Sequence, residues 1–546
     1  MKLSKLFLLA TLMGLLCASV VRPQETHQHQ HDSSEKLGQV NFPVSCSAAA
    51  QKQFNRAVAM LHSFWYEEAE KAFSEVTVTD PGCAMGSWGI AMSNYHPLWA
   101  PPDDRELKKG WAAVEKAKSV GAKTERERDY IAAIQAFYKD SDKLDHRTRS
   151  LAYEKAMEQV YLRYAEDREA AVFYALSLLG TALPTDKSYA NQKKAAEILN
   201  KVLPEEPEHP GVAHYIIHSF DYPQLAQLAL PAARSYAKIA PSSPHALHMP
   251  SHIFTRLGLW QESIQSNLAS AAAAKNHVAK THPGAASFDQ LHAMDYLAYA
   301  YLQGAQDQKA RRVMDEIGTI TKVDLENFAA AYAFAAVPAR YTFERRRWSE
   351  AAALKLHPSS FPWDRFRYAE AITDFAHAVG AARSGDLAAA RKDVEKLASI
   401  RNALVEAKDS YWADQVEIQR RVAAAWLVRA EGKKEEALKL MRSAADLEDS
   451  TEKHPVTPGS IIPARELLGD MLLELNQPEQ ALREFETSLC DSPNRFNGFY
   501  GAAQAAELSG ALKKARIYYE KLVALCEHAD GTRPELRKAK AFLAKN

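Results

Sequence analysis

Two histidine pairs, His214/His218 and His248/His252, stand 34 residues apart in this chain. A recurrence of that length marks proteins built by stacking one small supersecondary unit, because a single unit cannot bury its apolar face alone. Each pair is an H-x-x-x-H step, which on a helix stacks both imidazoles on one face about one turn apart. Successive units therefore carry the same marked face.

Only 22 of the 546 residues are glycine, and no run alternates Val, Ile and Thr with polar residues. Abundant Ala, Leu, Glu and Lys favour helix almost throughout. Basic and acidic residues balance at 68 each, with no long block of one sign. That balance leaves no electrostatic footprint for nucleic acid or an anionic membrane, and neither is expected as a partner.

The chain opens with Lys2 and Lys5 and the apolar run Leu6 to Val21. Such a run is short for a membrane span and has the pattern of a signal peptide, residues 1–19, cleaved after Ser19. Leu16 stands where a lipoprotein signal needs a small residue before Cys17, so soluble export, periplasmic or secreted, is expected. No later stretch is apolar enough to cross a bilayer. Residues 20–44 are polar, contain His27, His29 and His31, and read as a flexible leader.

Four cysteines remain beyond the signal. Cys46 and Cys83 are 37 residues apart, and Cys490 and Cys526 are 36 apart. Without a C-x-x-C motif, and in an oxidising compartment, this spacing predicts two disulfides, each worth about 3–4 kcal/mol in the chain-entropy model.

Near the C-terminus Asn476, Ala481 and Phe485 are followed 34 residues later by Gly510, Ala515 and Tyr519. A turn residue, a small residue at a helix crossing and an aromatic one turn on recur in register. Phe64, Ala69 and Phe73 fit the same template, closing at Asp80-Pro81, and Pro493 occupies that closing position after Ala481. Weaker copies pair Gly258 with Ser263, Ala305 with Ala310, Gly385 with Ala390, and Gly432 with Ala437.

These residues resemble tetratricopeptide repeats over most of residues 45 to 530. The resemblance implies an all-α fold, a right-handed superhelical solenoid of stacked helix-turn-helix hairpins. It also implies a concave face that takes a peptide or protein ligand. Residues 45–380 are expected to form a solenoid carrying the histidine site, and residues 381–546 a set of C-terminal repeats. Some copies lie 44 to 47 residues apart, and Asp449 to Ser460, with Pro455, Pro458 and Gly459, reads as an inserted loop.

One helix is predicted from Pro210 to about Phe220, presenting His214 and His218. Another starts at Pro244 with Ser243 as its cap and presents His245, His248 and His252 on one stripe. Pro250 inside the second should kink or widen the turn between His248 and His252. Aligning the next helix through its turn, Gly258 to Ala305, puts His292 opposite His245 and Asp295 opposite His248.

Packed helices lie about 8–10 Å apart, so His214, His218, His245, His248, His252, His292 and Asp295 form a candidate metal site. Imidazole and carboxylate ligands suit Zn, Cu, Fe, Mn or Ni, and spacing does not choose among them. Six histidines suffice for a paired-metal centre. A ligand groove without metal and plain packing are the other readings of the cluster.

His62 and His96 sit among aromatics and read as packing residues. Arg340 and Arg465, each in a Pro-Ala-Arg step, read as internal ion pairs, and Arg345 to Arg347 as a solvated surface. No nucleophile elbow, phosphate loop, H-E-x-x-H or dinucleotide fingerprint occurs, so no nucleotide cofactor is expected. Two functions stay open: a binding scaffold, or a metal-dependent hydrolase or oxidase with Asp221 or Asp295 as base.

Overall fold

Helices, most of them joined by tight turns, make up the greater part of the computed structural model, which describes residues 35–99 and 101–545. The expected signal peptide and His27, His29 and His31 lie outside the described residues. Among these residues the only β pairing is an isolated bridge between Ala286 and Val323. No described helix is long and apolar enough to cross a membrane.

Consecutive helices pair as hairpins, from Ala48–His62 with Tyr66–Thr79 to Phe496–Leu508 with Leu512–Leu525, and the hairpins stack as an all-α solenoid. The turns explain the repeat. Phe64, Gly258, Ala305, Gly385, Gly432, Asn476 and Gly510, the seven turn positions, all adopt positive φ between 52° and 93°. In each case the next residue's N–H reaches the carbonyl five residues earlier, as Gln477 does to Leu472 at 2.9 Å and Ala511 to Ala506 at 2.8 Å. A left-handed residue with this bond closes the first helix and starts the second antiparallel to it.

The small residue five positions after each turn is buried in every copy, Ser263 and the six alanines alike. Phe485 fills the groove between repeats so closely that a Cβ at Gly501 would stand 2.2 Å from its ring. Burying such a ring contributes about 1.5–3 kcal/mol.

Other expectations are corrected. Lys36 to Val44, assigned to the flexible leader, is packed: Phe42 is fully buried among Phe54, Trp88, Tyr130 and Phe173. Cys46 and Cys83 form a disulfide. Cys490 and Cys526 do not: the first is exposed near the end of the helix Pro478–Asp491, while the second is buried at the end of Leu512–Leu525, two helices on.

Of the two Pro-Ala-Arg steps, Pro338 lies inside the helix Phe328–Glu344, whereas Pro463 directly precedes the helix Ala464–Glu474. Arg345 and Arg346, expected to be solvated, are half-buried and pair with Asp307 and Asp470, whereas Arg347 is exposed as expected, beside Glu350.

Buried arginines bind distant repeats together. Arg495 donates to Glu466 and Glu344 at 2.6 Å and to Tyr299 at 2.6 Å. Arg533 donates to Asp307, 226 residues away. Buried apolar side chains form two clusters, Leu37 to Phe254 and Trp260 to Phe542. Their division falls inside the expected 45–380 span, and the histidines lie across it.

Candidate metal centre

Three successive first helices of hairpins carry the histidines. Pro210–Phe220 has the predicted bounds and is capped by His209, whose Nδ1 accepts the Val212 N–H at 3.2 Å. Ser243 caps Pro244–His248 as expected. Pro250 interrupts the next stretch, and the turn tightens rather than widens: the His252 N–H bonds the Met249 carbonyl three residues back, at 3.1 Å. The third helix is Phe288–Gln303.

The six histidines divide into two triads, and within each the ligating nitrogens all lie within 4.8 Å of one another. In the first, the Nε2 of His214 stands 3.1 Å from that of His218 and 3.2 Å from that of His245. In the second, the Nε2 atoms of His248 and His252 are 3.0 Å apart, and His292 packs on His248 with ring centres 4.1 Å apart. The triads are neighbours: ring centres are 6.3 Å apart for His218 and His252, and 6.2 Å apart for His245 and His248.

The protons on these rings are fixed from behind. His214 donates through Nδ1 to the His62 carbonyl at 2.7 Å, and His252 through Nδ1 to Asp221 at 3.0 Å. His248 donates through Nδ1 to the Asn267 side-chain oxygen at 2.6 Å, an orientation set by the Asn267 amide donating to the Ser263 carbonyl. A neutral imidazole has one N–H, so each of these three rings presents an Nε2 lone pair to the cluster. Burial holds His214, His218, His245, His248 and His292 well below the ordinary imidazole range. Burial also lowers His252, against the pull of Asp221.

Asp295 does not join them. Its carboxylate turns to the buried Arg340 at 3.3 Å, and burial raises it to about 6 despite that partner. His292 and Tyr296, one turn apart, face the histidines, whereas Asp295 lies on the flank facing the next helix. The register is also one turn from expectation, since His292 meets His248 rather than His245. Aligning through the turns ignored the break at Pro250.

Asp221, named as a candidate base, is a support for His252. It accepts from Arg256 at 3.0 Å and Lys453 at 2.6 Å as well. Burial alone would raise this carboxyl, but Lys453, Arg256 and His252 hold it well below the usual carboxylate range.

Lys453 comes from the inserted loop, and burial pulls its ammonium down to about 8. The same loop lays the Val456 carbonyl on the Tyr296 hydroxyl at 3.1 Å. The histidines are therefore covered, not displayed on an open concave face. Tyr296, four residues after His292, had a spacing signal that the sequence reading passed over, whereas Asn267 and Lys453 had none.

His62, read as a packing residue, bonds Glu169 at 2.9 Å and Tyr215 at 2.9 Å, and His209 bonds the same carboxylate at 3.0 Å. His96 packs on Tyr66. Elsewhere Asp374, His377 and Asp393 converge, but Lys396 already neutralises Asp374 at 3.0 Å.

No family model matches the chain, and no curated protein does. Solved structures similar to it include the human IFIT1 dimer with m7Gppp-AAAA, at 10% identity over 81% of this chain and 90% of that one, TM-score 0.37. The yeast Tom70 is 10% identical over 91% and 96% of the two chains, TM-score 0.34. Cut9 in the Cut9-Hcn1 hetero-tetramer is 12% identical over 91% and 96%, TM-score 0.29. Zero net charge is compatible with local patches of either sign and does not exclude a nucleic-acid partner.

Two cavities lie in this region, one walled by the histidines themselves and one by residues that support them. One of about 10 Å³ lies between the triads, with His218, His245, His252 and His292 in its wall. The other, of about 480 Å³, lies across the inserted loop and shares Lys453 and Arg256 with the supports of Asp221.

Proposed function

We propose that this helical-repeat protein holds a pair of transition-metal ions, one in each histidine triad. The observation that carries this reading is the facing of Nε2 atoms at 3.0–3.2 Å inside each triad. Two nitrogens about 2.0–2.1 Å from a common ion, at a bond angle of about 90–110°, stand about 2.9–3.4 Å apart. His248 and His252 present two lone pairs at that distance, a repulsion that a cation turns into attraction. Carboxylate and amide partners behind the rings are the usual outer support of metal-bound histidine. A bound ion would supply Lewis acidity or a redox centre, which makes a metal-dependent enzyme the natural extension of this reading.

The 480 Å³ cavity favours a second reading, a scaffold that takes a peptide ligand there. Its walls combine aromatic rings with both signs of charge, the mixture a peptide needs. Export belongs to the same proposal, supported by the Cys46–Cys83 disulfide.

Metal analysis of the purified full chain, stripped and reloaded, tests the proposal. Two ions per chain are expected, with His214→Ala and His248→Ala each losing one while helicity is kept. Wild-type protein that neither carries nor takes up metal would overturn it. A peptide that binds equally well with and without chelator would favour the second reading.

A further inference from the structure

The helices Arg367–Ser384 and Leu387–Glu406 form one hairpin, folded at Gly385 with φ 93°. His377 and Asp393 stand eight residues either side of that turn, and Asp374 and Lys396 eleven either side. In an antiparallel pair, equal distances from the turn set residues side by side, and a three-residue step keeps both residues of each helix on one face. One ligand atom each from Asp374, His377 and Asp393 therefore lies within 4.8 Å of the others.

Asp374 is 5% exposed, and its Oδ2 is buried without a hydrogen-bond partner. Lys396 reaches only Oδ1, at 3.0 Å, and divides its ammonium between that oxygen and Glu370 at 2.8 Å. A buried carboxylate oxygen left unpaired is costly, so the site is incomplete as the protein alone builds it. His377 donates through Nε2 to the Leu354 carbonyl, which leaves the unshared pair on Nδ1.

The charged groups acting most strongly on Asp374 and Asp393 are Glu370, Asp386, Lys392 and Lys396. With the two aspartates that makes four carboxylates against two ammonium groups, an excess that one divalent cation cancels. His377 and Asp393 are half-buried, so the cation has a path from solvent and water to complete its coordination.

Independently of the metal-pair reading, we infer that Asp374, His377 and Asp393 bind a further, divalent cation through two carboxylates and one imidazole. The ion joins both helices of this hairpin and, through His377, tethers them to the segment at Leu354. It gives the buried Asp374 Oδ2 a partner while Lys396 keeps Oδ1 and Glu370.

Titration of the full chain with Mn(II), followed by the electron paramagnetic resonance of the free ion, tests the inference. Mn(II) accepts carboxylate ligands and is held less well by imidazole alone, which separates this site from the triads. One Mn(II) per chain is expected, retained by His214→Ala and His248→Ala. Asp374→Asn and Asp393→Asn should each weaken it by about tenfold or more, at least the loss that a change behind a ligand causes. Lys396→Met removes the competing ammonium and should tighten binding several-fold. Mn(II) should raise the melting temperature of the wild type but not of Asp374→Asn.

No saturable Mn(II) uptake would overturn the inference. So would uptake that a folded Asp374→Asn matches, or that fails to tighten in Lys396→Met. Mn(II) lost instead from His214→Ala or His248→Ala would place it in the triads, overturning this site and leaving the metal pair standing. Triads that take no metal would leave this site untouched.

Discussion

His248 and His252 turn their Nε2 atoms toward each other at 3.0 Å although each ring has committed its one proton elsewhere, His248 to Asn267 and His252 to Asp221. The protein thus spends hydrogen bonds behind the rings to leave two unshared pairs face to face in front of them. Apolar packing alone gives no reason for that arrangement.

Asn267→Ala removes the acceptor that fixes the His248 proton. Metal affinity should fall by about 10–100-fold, read by chelator competition, with helical content unchanged. The orphaned imidazole N–H should also lower stability by about 1–3 kcal/mol. Unchanged affinity would show that the tautomer of His248 is not set by Asn267.

His454, on the inserted loop, stacks on Trp412 and packs against Phe328, and burial holds it down at about 3. Its folded value lies below its unfolded value of 6.5, so the unfolded chain takes the proton first. Its share of stability is intact above pH 6.5. It is lost on acidification toward pH 3, at about 1.4 kcal/mol per pH unit.

In His454→Phe the ring packing is kept, but the bond accepted from the Val456 N–H is gone. Urea melts should show the variant about 1 kcal/mol less stable at pH 7. By pH 5 the gap should have closed or reversed. A constant gap would refute the titration.

Alkylation of the denatured, unreduced protein should label Cys490 and Cys526 but not Cys46 or Cys83, as peptide mapping would show. Cys46→Ser should cost about 4 kcal/mol by the chain-entropy estimate for a loop of this length. Label on all four would exclude the disulfide.

Gly501→Ala drives a methyl group into the ring of Phe485. The expected loss is about 1–3 kcal/mol in denaturant melts. A neutral result would mean that the Phe485 ring shifts freely, against the packing described.

The local repeat was legible in the chain. Turn residues were visible because only a left-handed residue closes this hairpin, and the buried alanines because helices cross where side chains are smallest. His214 with His218, within one helix, and His248 with His252, across the break at Pro250, were paired by the four-residue spacing alone.

Tertiary structure decided the rest, since contacts between distant segments leave no periodic mark. It brought His292 onto His248 and turned Asp295 to Arg340. It aimed Lys453, 232 residues away, at Asp221, and it kept Cys490 and Cys526 apart. Spacing names the face a side chain occupies, but only the packing of helix on helix chooses which partner meets that face.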